Sequence, residues 1–122
     1  MSKIKTYVAG ADIARYTPVK FHTTAGQVVK ATAGADEVIG VTTEIDVVAG
    51  ERVDVIHAGE AFVATGAAVA AGKLLMADAT SRAVAAAAGA GSNVRTFGMA
   101  VEASLAAADV IRAEIAIGSF QG

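Results

Sequence analysis

Residues 40–60 read GVTTEIDVVAGERVDVIHAGE, and residues 98–118 read GMAVEASLAAADVIRAEIAIG. Each stretch opens on a glycine and carries a glutamate four positions on, Glu44 and Glu102. Each then runs through small residues to an acid, Glu51 and Asp109, with a β-branched residue two positions later, Val53 and Ile111. In the first copy Val53, Val55 and His57 share one face of an extended chain, and Arg52, Asp54 and Ile56 share the other. In the second, Ile111, Ala113, Ile115 and Ile117 recur at the same period of two. That is the period of a strand, whose successive side chains point to opposite faces. A turn, an acid and an alternating strand, used twice, predict an all-β domain with an internal pseudo-repeat.

The repeat extends upstream. VKFHTTAGQVVKATAG (19–34) aligns with LLMADATSRAVAAAAG (74–89), placing Val19 on Leu74, Phe21 on Met76, Val29 on Val84 and Gly34 on Gly89. After a three-residue insertion in AGSNVRT, Gly40 falls on Gly98 and Val53 on Ile111. Two units are too few for a solenoid and suit a pseudo-symmetric barrel or sandwich. Thirteen glycines and one proline punctuate short apolar runs. Strands are predicted at 18–22, 27–31, 38–44, 52–57, 60–65, 73–78, 82–86, 96–102 and 110–117. The alanine-rich GAAVAAGKLLMADATSRAVAAAAG competes as a helix, because alanine is the best helix former. Gly72 and Gly89 bound it, however, and DATSR reads as a turn, so strand–turn–strand is expected over 73–88. ASLAAAD (103–109) is compatible with a short helical turn that Ser104 would cap weakly. The expected organisation is an N-terminal arm, residues 1–16, followed by one β-rich domain, 17–122, with pseudo-repeats at about 17–65 and 72–118.

The 122 residues suffice for one domain with one core. The apolar fraction is 54%, but much of it is alanine, with only two tyrosines and four phenylalanines. Each missing methylene forgoes roughly 0.8 kcal/mol of burial. That favours a fold completing its apolar burial against neighbouring subunits at least as much as a compact monomer. The net charge of −2 gives no basic field for nucleic acid. Absent cysteine excludes disulfides, thiolate zinc sites and a cysteine nucleophile. The start, MSKIKTYVAG, lacks the apolar stretch of a signal peptide, and no apolar window is long enough for a transmembrane helix.

Reactive constellations are missing. His22 and His57 have no metal-ligand or general-base partner at a set spacing. The acidic pairs Asp36–Glu37, Glu44–Asp46 and Glu51–Asp54 flank turns without a calcium-loop pattern, and read as solvated rims. No phosphate-binding glycine loop occurs, and no serine sits in a nucleophile elbow. No catalytic, cofactor-binding or metal-binding residue is therefore assigned. Charge is uneven only at the start, where Lys3, Lys5, Arg15 and Lys20 face Asp12 alone, with Tyr7 and Tyr16 interleaved. This is either a frayed terminus or an arm laid on an acidic partner. On the second reading Lys3, Lys5, Tyr7, Arg15 and Tyr16 are candidate contacts to a partner or a neighbouring subunit, together with Phe120 near the C-terminus. Deleting residues 2–8 would then weaken binding and leave the β domain folded.

Taken together, ADIARYTPVKF, GQVVKATAG, VIGVTTE, VAGERVDVIHAGEAFV, VAAGKLLMADATSRAVAAAAG and TFGMAVEASLAAADVIRAEI resemble the small cement or decoration proteins of tailed-phage capsids. AGERVDVIHAGE carries most of the likeness; the alanine richness and the AGAGSNVR insertion depart from it. The resemblance covers nearly the whole chain. It implies a β-barrel, a sandwich or a bent-ribbon (β-clip-like) fold on the outer surface of a phage head, in a virion component made in the host cytoplasm. The implied partner is the major capsid protein. Self-association, expected from the alanine-rich strands and few large core residues, is as a trimer first and a dimer second. Neither nucleic acid, membrane nor cofactor is implied. Three other readings stay open: a phage fibre or adhesin module, a lipoyl-like β carrier domain, and a small trimeric β enzyme acting on nucleotides. The carrier would need a lysine at a hairpin tip. The enzyme would need carboxylates and a phosphate loop, which the sequence lacks.

Overall fold

The computed structural model describes residues 3–33, 36–86, 93–106 and 109–121, with side chains for all of these except 93–95 and 117–121. Among the described residues nine strands form: β1 (Lys3–Ala9), β2 (Pro18–Phe21), β3 (Gln27–Lys30), β4 (Val38–Thr42), β5 (Arg52–Ala64), β6 (Leu74–Ala77), β7 (Ala83–Ala85), β8 (Asn93–Ala100) and β9 (Val110–Gln121). No helix occurs among the described residues. The fold is all-β, as the alternation predicts. The alanine-rich stretch is strand–turn–strand as far as it is described, because Asp78 closes the turn by accepting the Thr80 and Arg82 amides. The described part of 103–109 is not helical. Ser104 instead forms a doubly hydrogen-bonded bridge with Val69, and its buried Oγ accepts the Val69 amide at 2.9 Å.

The strands lie in the order β1-β3-β2-β4-β5-β9-β8-β6-β7, and β1 also pairs with β5. That extra pairing closes β1, β3, β2, β4 and β5 into a five-stranded barrel. β5 is the hinge of the architecture. Its first half pairs with β1 and β4, and its second half, from Gly59, pairs with β9. The second half of β5 then plays the part of β1. Tyr7 opposes Val53 and Thr6 opposes Asp54, just as Val63 opposes Ile111 and Phe62 opposes Arg112. β9, β8, β6 and β7 repeat the order of β5, β4, β2 and β3. A parallel Thr65–Ala83 bridge stands where β1 runs parallel to β3.

The small contacts repeat as well. The Ala9 amide donates to the Glu51 carbonyl, and the Thr65 amide to the Asp109 carbonyl, both at 2.8 Å. Glu51 accepts the Val48 amide at 2.7 Å, and Asp109 accepts the Ala106 amide at 3.2 Å. The acids in the two copies therefore close turns. Gly40 and Gly98 are equivalent too: a Cβ on either would collide with the carbonyl oxygen of the crossing strand, at Ile56 and Glu114. Two expectations shift by a residue, Val19 on Leu74 and Phe21 on Met76; Phe21 falls on Ala77. Val19 opposes Gly40, and Leu75 opposes Gly98, so the partner of Val19 is Leu75 and not Leu74. Six residues separate the closing pair Phe21–Val28 and five separate Ala77–Ala83, so an alignment anchored on β3 and β7 slips in the preceding strand. Gly34 and Gly89 lie outside the described residues.

Two cores follow. Ala9, Ile13, Val19, Val28, Val47, Val53 and Val55 fill the first barrel. The second is built around Phe97, Leu75, Val63, Ile111 and Ile115, and it also takes in Ala31, Val38 and Val41 from the first unit. That shared packing joins the closed barrel and the second unit into one body. Valine dominates because a β-branched side chain suits a half-buried pleated surface, and each buried one contributes about 1.5–3 kcal/mol.

Residues 3–9, placed by the sequence in an arm, are a barrel strand along their whole length. Between β3 and β4 the Asp36 carboxylate accepts the Thr32 and Ala33 amides and pairs with Lys20 at 3.1 Å. Burial raises its proton affinity, but these donors outweigh it and hold the carboxyl below the usual aspartate range. The folded value is the depressed one. Its stabilisation is therefore present above the unfolded value of about 3.9 and is lost as pH falls through the folded value. Asp36→Asn is expected to lower Tm at neutral pH and to flatten the acid limb of Tm against pH below about 4. Parallel acid limbs in the two proteins would count against this.

Candidate partner-binding surfaces

The candidate contact residues separate into two places. On β1, Ala9 points into the first core, so Tyr7, Lys5 and Lys3 follow on the same face toward the open end of the barrel. There Lys3, Lys5, Tyr7 and His57 line a shallow hollow of about 200 Å³. His57 Nδ1 lies 2.9 Å from the Ile39 carbonyl, which can only accept, so Nδ1 carries the proton. Nε2 then accepts from the Tyr7 hydroxyl at 2.8 Å. The exposed Phe21 ring meets Tyr7 edge-on at 5.8 Å. Neither Lys3 nor Lys5 has an ion pair among the described residues. The hollow is a cationic rim on an aromatic floor.

The second place lies where the two units join. Tyr16 adopts a left-handed backbone, φ +56°. Its equivalent in the second unit is Gly72, φ +89°, the residue type that tolerates this conformation. The turn geometry belongs to the repeat, and the tyrosine belongs to the first copy alone. Its ring lies 6.0 Å from that of Phe62, a half-exposed β5 residue. Tyr16, Phe62, Ile56, Glu44 and Glu60 line a groove of about 190 Å³. Glu60 stands directly opposite Glu114 in the β5–β9 pair, an unfavourable juxtaposition of like charges. Arg112 approaches Glu60 at 4.0 Å and Glu102 at 3.7 Å.

Arg15 neighbours Tyr16 in sequence but is turned to Asp46, which accepts its amide at 2.7 Å and pairs with its side chain at 3.7 Å. Both partners are exposed, so the pair contributes little. Phe120 lies on β9 opposite Val94, and its side chain is outside the described set. The sequence reading missed Phe62, Glu60 and His57 as surface participants. Strand parity points to the first two: Val53, Val55, Ala61 and Val63 face inward, so residues 60 and 62 face out. His22 caps the β2–β3 turn, its Nδ1 accepting the Thr24 amide at 3.1 Å. No group of three or more potential metal ligands occurs among the described residues.

A family model for phage cement proteins matches residues 4–115, spanning both units. The chain belongs to the phage cement protein family. Among solved structures it is similar to the N base of head fiber gp8.5 in bacteriophage phi29, at 18% identity and a TM-score of 0.67, covering 95% of each chain. No curated protein sequence matches it. The cement family makes the protein a structural component of the virion, associated with the capsid.

Proposed function

We propose that this cement protein binds the outer surface of the phage head, contacts the major capsid protein, and stabilises the joints between capsid subunits. The observation that carries the reading is the cement-family match over both units. Physical reasoning supports it. A ligand that binds only the assembled shell stabilises it by RT ln(1 + [L]/Kd), about 2.7 kcal/mol per site at a hundredfold excess over Kd. Many sites act on one shell, so modest affinity suffices and no chemistry is needed. The protein is accordingly read as a non-enzymatic homo-oligomer, trimeric before dimeric, made in the host cytoplasm and docked from outside. Lys3, Lys5, Tyr7, Arg15, Tyr16 and Phe120 remain the proposed contacts.

The phi29 structure favours a second reading, a base on which a head fibre stands. Both readings require attachment to heads. The test is to incubate purified protein with heads lacking it and to image them. Saturable, lattice-ordered occupancy at capsomer joints is expected of cement. Occupancy confined to a few fibre positions supports the second reading, and absence of binding contradicts both.

A further inference from the structure

The two surfaces are complementary to one another. One is a cationic rim, Lys3 and Lys5, set on Tyr7 and His57. The other is an anionic groove with an aromatic floor: Glu44 and Glu60 beside Tyr16 and Phe62. Glu44 has no ion pair among the described residues. Glu60 faces a second carboxylate, Glu114, and shares its nearest cation with Glu102. A cation brought from outside would relieve that excess of negative charge, beside two aromatic rings that favour cations. The lysines cannot serve their own groove from where they stand, because on β1 they share the inward face with Tyr7 and Ala9, while the groove lies on the outward side of β5 at Ile56, Glu60 and Phe62.

We propose that a second copy of this chain occupies the groove: the Lys3 and Lys5 end of one protomer seats between Glu44 and Glu60 of the next, over Tyr16 and Phe62. The contact is heterologous, head to tail, so it closes into a ring when the rotation permits. This deepens the reading of a self-associating cement protein and rests on it. The tyrosine at a position where the duplicate unit uses glycine fits the same account. Its ring serves the neighbour, at the expense of a strained backbone in its own chain.

The test is sedimentation of the full chain across concentration and salt. Wild type is expected to associate, less tightly as salt rises. K3E/K5E and E44K/E60K are each expected to weaken association by at least about tenfold. The chain carrying all four substitutions restores complementarity and is expected to regain it. Tyr16→Gly takes the residue of the duplicate unit, so it is expected to keep Tm within a few degrees while weakening association. Three results overturn the proposal: a wild type that stays monomeric at every concentration, charge variants that associate like wild type, or a four-fold variant that keeps its Tm but does not recover. Occupancy on heads, measured in parallel, separates the two claims. Unchanged self-association with lost head binding puts a capsid segment in the groove and refutes the second copy. Failure of wild type to bind heads refutes the cement reading itself.

Discussion

Gly40→Val is expected to leave the first barrel unable to close. A Cβ at this position would collide with the Ile56 carbonyl oxygen and lie 2.8 Å from Val55 Cγ1. The obstacle is backbone, and that backbone cannot retreat. β5 is hydrogen-bonded to β1 and β4 on one side of Gly59 and to β9 beyond it. Any shift of β5 is therefore felt in both units. Overpacking a core ordinarily costs about 1–3 kcal/mol, and a clash with fixed backbone belongs at or above the top of that range. A domain holds only about 5–15 kcal/mol in all. Gly98→Val meets the Glu114 carbonyl in the same way and is expected to be equally damaging. Gly26→Ala is the control: it has no atom within 4 Å of its Cβ, only an unfavourable φ of +80°, and about 1–2 kcal/mol is expected. Urea midpoints of the three variants check this. A Gly40→Val midpoint at or above that of Gly26→Ala would contradict the packing account.

Deleting residues 2–8 is expected to destroy the first barrel and not merely weaken partner binding. The deletion takes β1 away from β5 along most of its length and removes the strand that joins β5 to β3. Both neighbours are left with unpaired edges, which invite aggregation. Tyr7, which packs against the first core, goes with it. Hydrogen exchange should show lost protection in β3 and the first half of β5, with the β8–β9 pairing less affected. A deletion variant that unfolds with the wild-type midpoint would restore the simple arm.

The alternation of Val53, Val55, Ala61 and Val63 was legible because each side of these strands meets a distinct environment, one core and one solvent. The same logic fails for β1. Lys3 and Lys5 lie on the inward face but extend past the barrel rim, and Ile4 and Thr6 face solvent, so four consecutive exposed residues hide a strand. The paired glycines were visible as a coincidence of sequence. Their reason, a strand crossing within contact distance, depends on the three-dimensional approach of Gly40 to Ile56 and Gly98 to Glu114. The one-residue slip at Val19 arose because small and apolar residues on both sides of the β6–β7 turn fit either phase. Of the candidate contacts, charge and aromaticity identified Lys3, Lys5, Tyr7 and Tyr16. That they form two separate surfaces is a property of the barrel. Tyr16 reaches Phe62 across the junction of the two units, a contact that no local sequence pattern encodes.

The central claim, that this protein fastens an assembled shell, is tested most directly by thermal release of DNA from filled heads lacking it, measured bare and after re-decoration with purified protein to saturation. The account predicts heads of normal geometry in both cases. It also predicts release at a lower temperature from the bare heads, and recovery on re-decoration in proportion to occupancy. Identical release curves at full occupancy would contradict it.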